Sequence, residues 1–248
     1  MLKKIYYKLF KSKDRYNKFK SDQAIIKQQI LFEEKFKNKQ LDISNSINKK
    51  KILNFLHSGH WGDLIYSLPI IKELSKSHQC NLFIGVGKKI EGAYYKHPAK
   101  GVYIDDHIAK QILPLLKFQS FLNEVKIHSE ENIDINLDLF RDLPISLNFN
   151  SCRWYFHLTG THVDLTKPYL NSTDHKSVKD KIVILRTFRY RNHFINYKFL
   201  NEIDESIIFI GLKDEFEDLK KDIPKLQHYE PENFFEMSQI IKSSKFFL

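Results

Sequence analysis

The residues best placed for chemistry lie in Ser58-Gly59-His60-Trp61-Gly62-Asp63, directly after the apolar run Ile52 to His57. On residue type alone, Asp63 reads as a helix N-cap, with Gly62 letting the chain turn into it. The following stretch carries Leu64, Leu68, Ile71 and Leu74 on one helical face. Pro69 has no N–H, so it frees the carbonyl of Ile65 and should kink that helix. No Gly-Lys-Ser/Thr follows, and Gly59 and Gly62 do not make the dinucleotide fingerprint. The 11 histidines are scattered, without His-Glu-x-x-His spacing or a cysteine pair, so no metal site is expected. Asp105-Asp106 reads as a helix cap and first turn rather than as a metal-binding acid pair. Along residues 133–139, Asp134, Asn136 and Asp138 alternate with apolar residues. That spacing gives a strand with Asp134 solvated at an edge and Asp138 reaching a cleft at the strand end. Cys80 and Cys152 lack a neighbouring base and read as structural; Trp154, Tyr155 and Phe156 read as interdomain packing.

Short apolar runs separated by helical stretches must position these groups. Residues 52–57, 82–86, 101–104 and 133–139 read as strands alternating with helices, which implies a parallel α/β sheet. The polar segment 171–180 reads as a linker. After it the alternation restarts with strands at 181–185 and 207–211 and helices at 214–221 and 234–242. Residues 245–248 have the composition of a strand just beginning, so the expectation is a second domain that is incomplete at its C-terminus. The division expected is a leader (1–51), a first domain (52–170), the linker (171–180) and a partial second domain (181–248).

The chain has 248 residues, 42% of them hydrophobic and 14% aromatic, which excludes a disordered chain. No apolar run is long enough to span a bilayer and no apolar signal segment opens the chain, so a cytoplasmic protein with reduced thiols is expected. Residues 1–51 hold 15 Lys+Arg against 5 Asp+Glu, which accounts for the whole net charge of +10. The neutral remainder argues against a nucleic-acid groove. In the first 20 residues, Leu2, Ile5, Tyr6, Leu9 and Phe10 recur among lysines as in a basic amphipathic helix. Two readings of it stand: docking on an anionic membrane surface, or an apolar stripe packed on the body.

Residues 55–74, with Gly62-Asp63 opening a helix and Pro69 six positions later, resemble the N-terminal signature of heptosyltransferase-like glycosyltransferases, glycosyltransferase family 9. Residues 133–141 are similar to a later strand of that family, and 184–194 to the segment after the first strand of its second domain. The resemblance implies a GT-B architecture of two Rossmann-like domains and inverting, metal-independent transfer from a nucleoside-diphosphate sugar, with no cofactor. The acceptor implied is a cell-surface glycan or lipid-linked molecule, handled at the inner membrane face. Asp63 would be the general base, although a helix N-terminus lowers carboxylate basicity. Ser58, His60, Trp61, Gly62, Asp138 and Arg141 would line the acceptor side. Arg186, Thr187, Arg189, Arg191 and His193 would hold the donor phosphates; a solvated basic loop is the alternative. The segment departs from the family where a lysine is common, since Arg191 or Asn192 stands there. Two other functions compete: a non-catalytic GT-B-like scaffold, and a nucleic-acid-associated protein using residues 1–51 as its arm.

Overall fold

In the computed structural model, residues 2–90, 101–143, 147–188, 191–192 and 194–248 are described. The leader forms α1 (Leu2–Phe10), α2 (Lys13–Leu31), a π-helical turn (Phe32–Phe36) and α3 (Lys37–Lys49). The first 20 residues are thus two helices rather than one. Ser12 breaks them by capping α2, its side chain accepting from the Arg15 N–H at 3.4 Å. The far end of the leader is anchored: Phe36 and Ile43 are buried, and His78 Nε2 lies 2.8 Å from the Ile47 carbonyl.

The first sheet contains β1 (Ile52–His57), β2 (Gln79–Ile84), β3 (Glu124–Ile127) and β4 (Ile135–Asn136), in the order β3-β2-β1-β4. β1 pairs in parallel with β2 and β4 and buries Leu53 and Phe55 completely. Between β1 and β2 runs α4 (Trp61–Leu74), which contains Pro69 and buries Leu64, Leu68, Ile70 and Ile71. Later come α5 (Asp106–Lys117) and α6 (Cys152–Thr159).

The second sheet contains β5 (Ile182–Ile184), β6 (Ile207–Ile210), β7 (Gln227–Tyr229) and β8 (Phe246–Phe247), in the order β7-β6-β5-β8. β5 pairs in parallel with β6 and β8, and β6 with β7. The helices here are α7 (Lys213–Lys220) and α8 (Phe234–Ser243). Both sheets thus repeat the third-second-first-fourth order of a doubly wound fold, with the reversal beside β1 and beside β5. The expected α/β class with parallel sheets is borne out.

Several strands differ from expectation. Residues 101–104 form no strand, only an isolated antiparallel bridge from Val102 to Lys89 next to Gly101 at φ +84°. The expected strand over 133–139 is two residues long. The Asn136 side chain then accepts from the Asp138 N–H at 3.0 Å and turns the chain into a 3₁₀ helix, Leu137–Asp142. Asp134 is not a solvated edge residue: its side chain is 8% exposed, accepts from the Asn54 N–H at 2.8 Å and pairs with Lys50. β3 and β7 had no clear sequence signal. Asp105 caps α5, accepting from the Ile108 N–H at 2.8 Å, as expected.

The chain forms two compact units, residues 1–85 with 128–167 and residues 86–127 with 168–248. α5 therefore groups with α8, where Phe118 and Phe235 meet at a centroid distance of 4.4 Å.

Candidate functional site

In the first unit the candidate residues gather beyond the carboxyl ends of β1 and β4, the strands between which the order reverses. In open α/β sheets that is where ligands bind. β1 ends at His57, and the next amide, Ser58 N–H, donates to Asp138 Oδ1 at 2.9 Å. Asp138 is buried after β4, so one carboxylate ties the two strand ends together. A Cβ at Gly59 would lie 2.8 Å from Arg141 Nη1 and 3.0 Å from His57 Cε1, so a side chain there would push the Arg141 guanidinium aside. Gly85, at the end of β2, is held more tightly, since its Cβ would sit 2.3 Å from Ser58 Oγ and 2.8 Å from Ser58 Cβ, which no rotation of the serine relieves. A Cβ at Gly62 would meet open space, so the glycine that shapes the turn is Gly59 rather than Gly62.

Asp63 does not cap α4. His60 occupies the N-cap position and Asp63 lies in the first turn, its Oδ2 accepting from Arg141 Nη2 at 2.5 Å. The Arg141 guanidinium in turn lies over the Phe140 ring, 4.4 Å from its centroid, and Phe140 stacks on Trp154. Burial raises the Asp63 carboxyl above its ordinary range; Arg141 pulls the other way without cancelling it, and the Asp138 charge adds to the rise. The expected loss of basicity at a helix N-terminus is therefore overturned by desolvation. Trp61, 41% exposed, and His60 flank this corner at the start of α4.

Tyr155 is the residue that sequence reasoning missed. It is fully buried on α6 and donates its hydroxyl proton to the Asp63 backbone carbonyl at 2.8 Å. The same oxygen lies 3.1 Å from His57 Nε2. His57 Nδ1 accepts from the Gly59 N–H at 3.1 Å, so the imidazole carries its proton on Nε2 and donates it to Tyr155. Burial and the Asp63 charge hold the phenol well above its ordinary range, so it stays protonated. Tyr155 and Trp154 thus pack inside the first unit, where a buried phenol must find a partner. Tyr155→Phe should lower stability by about 2 kcal/mol, read as the midpoint of urea unfolding, because it deletes one buried and one half-buried hydrogen bond while keeping the ring.

In the second unit, Arg186 follows β5, again beside the reversal of strand order. Its Nη2 donates to Asp218 Oδ2 at 2.7 Å, and Arg191 Nη1 reaches the same oxygen at 2.9 Å. Two guanidiniums on one carboxylate leave a net positive charge and hold Asp218 below the usual carboxylate range. Arg186 is 8% exposed, and its buried Nε has no hydrogen-bond partner among the described residues. The Phe188 N–H donates to Glu215 Oε1 at 2.8 Å and fixes the loop to α7. Thr187 is half-buried; Arg189 and His193 lie outside the described residues. No group of His, Cys, Asp and Glu able to hold a metal ion occurs among the described residues. Burial pushes the Cys80 thiol up to about 12, as befits a structural cysteine.

No family model and no curated protein matches this chain. Among solved structures, the glycosyl transferase family 9 protein from Veillonella parvula is similar, with a TM-score of 0.49 and 8% identity, over 79% of this chain and 74% of that one.

Proposed function

We propose that this chain is a glycosyltransferase that moves a sugar, heptose or another, from a nucleoside-diphosphate donor to a hydroxyl of a glycan or lipid-linked acceptor. The observation that carries the reading is Asp63: a half-buried carboxylate beyond the switch point of a parallel sheet, with raised proton affinity and one oxygen held by Arg141. That combination suits a general base.

In this reading Asp63 takes the proton of the acceptor hydroxyl as its oxygen bonds to the anomeric carbon. The bond from that carbon to the diphosphate oxygen breaks with its electron pair leaving on the diphosphate, which inverts the anomeric centre. Arg141 keeps the carboxylate oriented, and Ser58, His60, Trp61 and Asp138 shape the acceptor side. Arg186, Thr187 and Arg191, with Arg189 and His193 of the same segment, offset the charge that develops on the leaving diphosphate. Fixed guanidiniums do this without a metal ion.

The deciding experiment incubates the purified chain with a panel of nucleoside-diphosphate sugars and a bacterial glycan and lipid extract, in the presence of a chelator. Release of nucleoside diphosphate coupled to sugar transfer is expected. Absence of both binding and release across the panel would overturn the proposal. The non-catalytic reading is favoured by one feature, that Arg186 and Arg191 already engage Asp218; donor binding without release would select it.

A further inference from the structure

We infer that α1 docks on an anionic lipid surface, an inference that stands independently of the transferase reading. α1 buries no residue, which removes the alternative of a stripe packed on the body. Leu2, Leu9 and Phe10 are 85%, 67% and 70% exposed, and Ile5 and Tyr6 are about half exposed. At 100° per residue these five side chains fall within one stripe, while Lys4 and Lys8 fall on the opposite side and Lys3 at its border; Lys11, just past the helix end, holds its ammonium over the Tyr6 ring, 5.3 Å from the centroid. An exposed apolar stripe backed by lysines is the pattern of a helix lying in the headgroup region.

The occupant follows from charge. Residues 1–51 carry 15 Lys+Arg against 5 Asp+Glu, so a second copy of the leader would repel the first, whereas an anionic bilayer attracts it. A nucleic acid would satisfy the lysines but leave the five apolar side chains in water. No described helix is long and apolar enough to cross a membrane, so the mode is surface binding. Anchorage suits it too: the leader is fixed through Phe36 and Ile43, while Tyr7 stacks on Phe19 at 4.6 Å and steadies α1 against α2.

The test is flotation of the full chain with vesicles of phosphatidylcholine, with and without phosphatidylglycerol. Binding to the anionic vesicles alone, weakening as salt is raised, is the expected result. Ile5→Ser with Leu9→Ser keeps every charge and should weaken binding roughly tenfold or more, because the apolar contribution is lost. Lys4→Gln with Lys8→Gln should weaken it on a similar scale. Both pairs are exposed, so an unchanged melting temperature is expected and checks the fold. Equal flotation with neutral vesicles, or full binding by the serine variant, would overturn the inference. So would tight binding of duplex DNA that the serine variant retains, or a dimer in solution that it dissolves.

Discussion

Asp63→Asn should lower the transfer rate by about 10²-fold or more, because the amide cannot accept the acceptor's proton. The substitution keeps shape and can still accept from Arg141, so donor binding should hold. Stability separates a base from a structural acid. The Asp63 carboxyl is raised in the folded chain, so the stability it gains from binding a proton is present at low pH and is lost as pH rises through the folded value. At neutral pH the partly desolvated charge is a cost that the amide avoids. The variant should therefore melt at or above the wild-type temperature near neutral pH, and lose that advantage below the ordinary carboxylate range. Wild-type turnover in the variant would remove Asp63 from the mechanism.

The same sign reasoning extends to Arg141. It is the group that lowers the Asp63 value against burial, so Arg141→Gln should raise it further. A base works when deprotonated, and the acid limb of the kcat/KM profile should therefore move to higher pH in that variant. A limb that stays in place would assign it to another group.

Arg186→Ala should weaken binding of a nucleoside diphosphate by about 1.5 to 3 kcal/mol, roughly 10- to 150-fold, as measured by calorimetric titration with and without magnesium. An exposed loop arginine would leave melting unchanged. Arg186 is buried and bonded to Asp218, so the melting temperature should fall as well, by the equivalent of about 1 kcal/mol. Full affinity in the alanine variant would exclude this place as the phosphate site.

The elements that were legible in the sequence carry a clear pattern: β5 and β6 bury continuous apolar runs, α4 has an apolar face, and α7 runs from acidic to basic residues. β1 with its turn and α4, then β5, β6, α7 and α8, all lie within a residue or two of where the patterning puts them. β3 is Glu124-Val125-Lys126-Ile127 and β7 is Gln227-His228-Tyr229, short strands with little apolar patterning, so periodicity had little to act on. The site divides the same way. Asp63 and Arg186 were singled out by the family resemblance of the segments that follow two strands, whereas their partners lie far along the chain. Arg141 is 78 residues from Asp63, and Asp218 is 32 from Arg186. Tyr155 stood out only as one aromatic among three, with nothing nearby to say that its hydroxyl would meet Asp63 and His57. Asp218 looked like one acid in a helix with charges matched to its dipole; its role emerged only when both arginines met it.

The interleaving of the two compact units bears on how the chain is made. Residues 86–127 belong with 168–248, and the first unit needs residues 128–167 to complete it. A ribosome releases the chain from its N-terminus, so folding cannot proceed as one finished domain followed by another. When β1, α4 and β2 have emerged, β4 and Tyr155 are still unmade, and Asp63 has neither Arg141 nor its carbonyl's partner. When α5 emerges, about 120 residues still separate it from α8. Each unit therefore spends part of its synthesis with an open sheet or an uncovered helix, the interval in which a folding chaperone has most to hold.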